Sequence, residues 1–460
     1  MPISHCVPDE KKSGLGRRRF LKSAASSAAL FAPATVVARP PKAVPTRPSR
    51  SDAAGRGEQG MSTGGLSKSR LSRMHDVMAG HVERGELPGV VTLVSRRGEV
   101  HFDVIGMKAV GDGDPMRRDT IFRIASMTKP ITAVAAMIMV EECKLRLDEP
   151  VDRWLPELAN RKVLKRLDGP LDNTEPAKRP ISVRDLLTLR MGLGMILAPP
   201  GTYPIQKAIA EAGLAPGPYL PQFGPDEYMK RLGRLPLVHQ PGEKWMYHTG
   251  LDVLGVLIAR ASGQPLETFF RERIFEPLDM KDTAFSVPAA KLDRLAASYN
   301  ANPQTGALEV LDAARDGQWS RPPVFQSGGG GLVSTVDDYL AFGQMMLNKG
   351  KYGRARILSR PSVELMTTDH ITPEQKAVSV FFPGFWDSRG WGFGISIVTR
   401  RDNIAADPGR FGWDGGYGTS GYSDPKEDLV GILMTQRALD PIALNISADF
   451  WTSAYQAIDD

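Results

Sequence analysis

Residues 122–140 read FRIASMTKPITAVAAMIMV, and the reading of the whole chain turns on them. From Ser126 to about residue 142 almost every position is apolar or small, with no polar stripe and no strict alternation. A helix that is apolar all round belongs in an interior rather than on a surface, so the stretch predicts a central helix over 126–142. Its longest apolar run, Pro130 to Val140, falls far short of the roughly 20 residues that span a bilayer. Ser126 and Lys129 stand three apart, which puts them on one helix face. A serine at a helix start sits where unpaired N–H groups and the dipole favour developing negative charge. A lysine held among apolar side chains has its ammonium form disfavoured and can accept a proton. The plainer alternative makes Ser126 a helix cap and Lys129 a snorkelling surface residue.

The spacing alone decides little, because Ser423-Asp424-Pro425-Lys426 has it too. There the proline and flanking acids predict a turn before a strand at Leu429–Thr435. Only the Ser126 copy opens a buried helix.

Outward from that helix, Leu71, Met74, Met78 and Val82 fall at helical spacing, with Gly85 as a stop. Gly89–Ser95 and Glu99–Ile105 read as a hairpin about Arg96-Arg97-Gly98. Residues 145–320 alternate short helices with Pro- and Gly-rich connections, densest around 195–225. Strands return at Gly392–Val398 and Leu429–Thr435, and a last helix is predicted from about Ser447 to Ile458. Strands at both ends with helices between suggest a sheet built from the two termini and a helical insertion. The predicted division is a sheet part at about 67–125 and 321–460, and a helical part at about 126–320.

Apolar residues make up 42% of the 460 and charged residues 24%, which excludes a largely disordered chain. The net charge of +6 is local: residues 1–58 hold eleven Lys/Arg and four Asp/Glu, leaving 47 bases against 48 acids in the remainder. A neutral body gives no footprint for nucleic acid. Residues 16–38, GRRRFLKSAASSAALFAPATVVA, resemble a twin-arginine export signal, with small-residue cleavage points after Ala34 or Ala38. That predicts a signal over 1–38, a Pro/Arg/Ser/Gly-rich linker over 39–66, and a periplasmic or secreted bacterial protein with no stable membrane insertion. Cys6 lies in the signal, so Cys143 remains alone and is expected to pack within its helix.

Other chemistries find less support. No G-x-S-x-G nucleophile elbow occurs, and the seven histidines show no metal-ligand spacing. His248 is a candidate base for a serine, against the plainer reading as a polar residue near the surface. Gly328–Gly331 lacks the Gly-Lys-Ser/Thr of a phosphate loop and reads as a tight turn before a helix capped by Ser334 or Thr335.

Residues 122–140 resemble the nucleophile helix of serine β-lactamases and penicillin-binding proteins, most of all the class C-like branch that includes family VIII carboxylesterases. Three further stretches agree in order: PGEKWMYHTGLDVLG (241–255), SGGGGLVSTVDDYLAFGQ (327–344) and FGWDGGYGTSGYSDPKEDLVGILMTQ (411–436). The resemblance covers roughly 67–458. It implies a mixed α/β (α+β) fold, an antiparallel sheet flanked by helices, with a helical region beside it and the site between.

It also implies roles. Ser126 matches the acylated serine, Lys129 its general-base partner, and Tyr247 the tyrosine that exchanges protons with the serine and activates the deacylating water. The N–H groups of Ser126 and Gly416 match the oxyanion hole. No cofactor or metal is implied. Two departures bear on substrate. The lactamase Tyr-x-Asn is here Tyr247-His248-Thr249, and Lys-Thr-Gly is here Trp413-Asp414-Gly415. Trp413, Asp414, Gly415 and Thr249 are therefore the candidate substrate contacts. Without the lysine an attraction for a substrate carboxylate is lost, and Asp414 is expected to repel one. The expected function is an exported esterase acting on a small neutral ester. A β-lactamase, a D-Ala-D-Ala peptidase, an acyltransferase or a non-catalytic cell-wall-binding protein stand as alternatives.

Overall fold

The computed structural model of the chain describes residues 64–111 and 113–460. The export signal and residues 39–63 of the linker lie outside the described residues.

A seven-stranded, wholly antiparallel sheet forms the centre. Its strands are β1 (Gly89–Arg96), β2 (Glu99–Gly106), β3 (Arg389–Trp391), β4 (Ser396–Val398), β5 (Phe411–Gly415), β6 (Thr419–Asp424) and β7 (Leu429–Thr435). The spatial order is β3-β4-β5-β6-β7-β1-β2. β7 thus lies between β6 and β1, pairing Val90 with Thr435 and Arg96 with Leu429.

Period-2 alternation explains the layers. Val90, Val94, Leu429 and Leu433 point to one face, where they meet α1 (Lys68–Glu83) and the terminal helix α5 (Pro441–Gln456) through Leu71, Met74, Met78, Ile446 and Phe450. Val91, Leu93, Val430, Ile432 and Met434 point to the other face, into the main core. That core contains α2 (Thr128–Glu141), buried at every position from Thr128 to Met139. Across it run α3 (Thr249–Ser262) and, against the sheet, α4 (Val336–Leu347). Among the described residues no helix is long and apolar enough to cross a membrane.

Several elements differ from the expectation. The last helix begins at Pro441, because Asp440 caps it, accepting from Ala443 N at 2.7 Å, and Pro441 suits the first helical turn. The run Gly392–Val398 splits: Gly392 N donates to Ile395 O at 2.8 Å and Gly394 has φ +66°, so a turn precedes a strand of three residues. Cys143 is exposed rather than packed, in a left-handed position (φ +57°) just past the end of α2. The middle third also contains two short hairpins, Lys162–Leu164 with Thr174–Pro176 and Ser298–Ala301 with Leu308–Asp312. Ser423 and Asp424 end β6 and only Pro425 onward turns. Ser423 Oγ donates to Gly343 O while Lys426 Nζ reaches Asp407, so the second serine–lysine pair is engaged elsewhere. Thr335, as expected, caps its helix, accepting from Asp338 N.

Candidate active site

Ser126 stands two residues ahead of the regular helix that the sequence predicts to begin with it. Ala125–Met127 form a 3₁₀ turn leading into α2, and Ala125 has φ +43°, a strained setting for a side-chain-bearing residue. The approach is anchored by Arg123, whose buried guanidinium pairs with Asp312 (Nε–Oδ2 2.6 Å) and reaches the carbonyl of Ala313. The result is a serine that stays partly accessible between buried neighbours.

Lys129, one turn on, is wholly buried. Its Nζ lies 2.8 Å from Ser126 Oγ, 2.6 Å from Gly329 O and 3.2 Å from His248 Nδ1, and 4.5 Å above the Tyr247 ring. Burial pushes its pKa down to about 7, with the Asp252 charge opposing. The glycine run is what lets a carbonyl reach it. Thr132 Oγ1 donates to Gly328 O at 2.7 Å, and a Cβ on Gly328 would meet Leu251 O at 2.5 Å, so only glycine passes between α2 and α3 here.

Tyr247 is held beneath by residues 189–195, with Met246 N donating to Leu189 O and Met195 N to Tyr247 O, each at 2.8 Å. Its hydroxyl accepts from Trp413 Nε1 at 2.6 Å and lies within electrostatic reach of the Ser126 side chain. Burial raises the phenol well above its usual range, so at neutral pH it carries its proton. Phe381 and Trp245 pack against the ring at 5.2 and 5.7 Å between centroids.

The indole of Trp413 thus stands where a lysine would in the lactamase pattern, offering a neutral N–H donor. Gly415 abuts the nucleophile loop: a Cβ there would lie 2.4 Å from Ile124 O. Gly416 follows at the exposed end of β5 and borders open space. Thr249 is buried at the first turn of α3.

Asp414 departs from its expected place. Its neighbours on the strand face the core, so alternation turns its carboxylate to the opposite face, where it accepts from Ser420 Oγ at 2.6 Å and Tyr422 OH at 3.0 Å. It is not brought together with Ser126, Lys129 and Tyr247. Asp414→Asn is expected to leave the ratio of kcat/KM for a neutral and an anionic ester unchanged while lowering stability by about 1 kcal/mol. Paired kinetics and a urea titration check this, and a selective gain on the anionic ester would return Asp414 to the pocket.

Sequence reasoning missed Asp252 and underrated His248. His248 is largely buried, with Nε2 3.0 Å from Asp252 Oδ2, and Asp252 also accepts from Ser327 Oγ (2.5 Å) and Gly329 N (2.9 Å). The signal was the four-residue spacing of the two at the head of an apolar helix. Among the described residues no group of three or more His, Cys, Asp or Glu gathers to hold a metal.

The sequence pattern of the Beta-lactamase family matches residues 74–445. The chain belongs to that family. Protein Rv1367c of Mycobacterium tuberculosis is 40% identical over 370 residues, covering 78% of this chain and 88% of the relative. Esterase EstB of Burkholderia gladioli is 32% identical over 391 residues, covering 81% and 92%. Among solved structures, EstCE1, described as a hydrolase with promiscuous acyltransferase activity, superimposes with a TM-score of 0.70 at 25% identity, covering 85% of this chain and 99% of that one. The chain is a serine hydrolase of the beta-lactamase family.

Proposed function

We propose that the protein hydrolyses carboxylic esters through an acyl-enzyme on Ser126, with Lys129 and Tyr247 as its proton-transfer partners. The observation that carries this reading is the wholly buried Lys129 amine 2.8 Å from Ser126 Oγ, poised near pH 7 to take the hydroxyl proton. Ser126 Oγ attacks the ester carbonyl as its proton passes to Lys129. The tetrahedral oxyanion is met by the N–H groups of Ser126 and Gly416. On collapse the C–O bond to the alcohol breaks, and the proton leaves Lys129 by way of the Tyr247 hydroxyl to the departing alkoxide. Tyr247, protonated at rest, suits this relay better than the part of a standing phenolate base. Water then attacks the acyl carbonyl and gives its proton back along the same path, freeing the acid and Ser126.

Substrate choice rests on Trp413. With an indole and the ring of Phe381 in place of a cation, the pocket favours a small neutral ester over an anionic lactam or peptide. The similarity to esterase EstB supports the same direction. Export through a twin-arginine signal, with a periplasmic or secreted address, completes the proposal.

The test is hydrolysis of p-nitrophenyl butyrate and nitrocefin by the protein lacking residues 1–38. Turnover of the ester with slow or absent nitrocefin cleavage is expected. Comparable nitrocefin cleavage would overturn the ester preference. Acyl transfer to an added alcohol in preference to water would favour an acyltransferase, the activity that the EstCE1 description adds to hydrolysis.

A further inference from the structure

The Lys129 amine faces three acceptors, Ser126 Oγ, Gly329 O and His248 Nδ1. A neutral amine carries two hydrogens and one lone pair. For Lys129 to take the Ser126 proton, its lone pair must point at Oγ and both hydrogens must go elsewhere. The Gly329 carbonyl takes one. The other needs a second acceptor, and His248 Nδ1 is one only if that nitrogen is unprotonated.

Asp252 determines which nitrogen that is. His248 Nε2 lies 3.0 Å from Asp252 Oδ2. Against burial, which pushes it up, His248 first and then the Ser327 hydroxyl and the Gly329 N–H hold the Asp252 carboxyl below its ordinary range, so it is ionised and can only accept. The ring must therefore place its hydrogen on Nε2, which leaves Nδ1 with a lone pair toward Lys129. Burial and the neighbouring Lys129 lower the imidazole's own pKa, which keeps it neutral. The backbone agrees: His248 has φ +83° and ψ −66°, a strained γ-turn setting for a residue with a side chain.

We propose that His248, its tautomer fixed by Asp252, is a positioning residue that accepts one Lys129 hydrogen and so aims the lysine lone pair at Ser126. This rests on the reading of Ser126 as nucleophile and Lys129 as base. His248 forms and breaks no covalent bond. It sets the rotation of the neutral amine before Lys129 takes the serine proton.

Two measurements test it, with His248→Ala and His248→Asn as variants. The rate at which a fluorophosphonate labels Ser126 reports the serine's reactivity without depending on the ester chosen. His248→Ala should slow labelling about 10²-fold, the cost of a misaimed catalytic group, and lower kcat on p-nitrophenyl butyrate with KM little changed. His248→Asn, whose Oδ1 sits close to the lost Nδ1, should recover most of that rate. ¹⁵N NMR of histidine-labelled wild type should show His248 Nδ1 unprotonated and Nε2 protonated at neutral pH, whether or not the variants fold. A protonated Nδ1, or labelling of folded His248→Ala at the wild-type rate, would overturn the positioning role. If wild type itself resists labelling, the nucleophile reading fails instead, and with it the base for this inference.

Discussion

Ser126→Ala is expected to abolish ester turnover, by on the order of 10⁶-fold, the scale of deleting a serine nucleophile. The Oγ lies 2.8 Å from the Lys129 amine and is the group on which the amine and the Tyr247 phenol act, so its removal leaves them nothing to activate. The structural cost is small. Ser126 is partly accessible, the loss of one oxygen opens no sealed cavity, and Lys129 keeps two of its three acceptors. Melting temperature should therefore stay close to the parent's while hydrolysis of p-nitrophenyl butyrate disappears. Turnover surviving in a folded Ser126→Ala protein would sink the acyl-enzyme mechanism and point to another nucleophile.

Lys129→Met is expected to cost about 10²- to 10⁴-fold in acylation, the range of a general base, and to remove a pH limb. Lys129 acts as a base only when neutral, so acylation in the wild type should rise with pH through about 7 and level off above. The variant should lack that rise. Stability should move with pH as well. The unfolded chain holds this proton up to about the ordinary 10.5, the folded chain only to about 7. Between these values unfolding takes up a proton, so the wild type gains stability as pH rises across the window and carries its largest burial penalty below it. Urea midpoints of wild type and Lys129→Met at pH 6 and pH 9 isolate the effect. The wild type should gain on the variant at the higher pH, and a difference independent of pH would show that the buried lysine keeps its proton.

Four of the seven strands (β1, β2, β4 and β7), the buried helix and the outer pair α1 and α5 were legible from local apolar runs and spacing, whereas β3, β5 and β6, short or rich in glycine and polar residues, were not. Val90/Val94 against Val91/Leu93 fixes two faces, and the unbroken apolar stretch after Ser126 has nowhere to go but the centre. The proximity of Ser126 and Lys129 follows from helix geometry alone. What stayed hidden depends on non-local partners. Nothing near Asp414 says which side of β5 faces the core; that is set by Trp413 finding Tyr247, 166 residues away in sequence. His248 read as a surface residue because its burial comes from Lys129 and the Gly329 turn, 119 and 81 positions distant. The start of α5 at Pro441, six residues before the expected Ser447, carries a local signal in the Asp440-Pro441 cap.

The placement of β7 between β6 and β1 has a consequence for biosynthesis. The first strand of the sheet must wait for its last, since Val90 pairs with Thr435. Loop closure over such separations is slow and rewards the chain only when complete. Trp413 and Gly416 arrive on that same late segment. A chain truncated before Leu429 lacks the strand that joins β6 to β1, so the sheet that backs Ser126 and Lys129 cannot close. Completion of the site is thereby tied to the closing of the sheet around β7, so activity is expected to appear together with the sheet rather than with the helix that holds the serine.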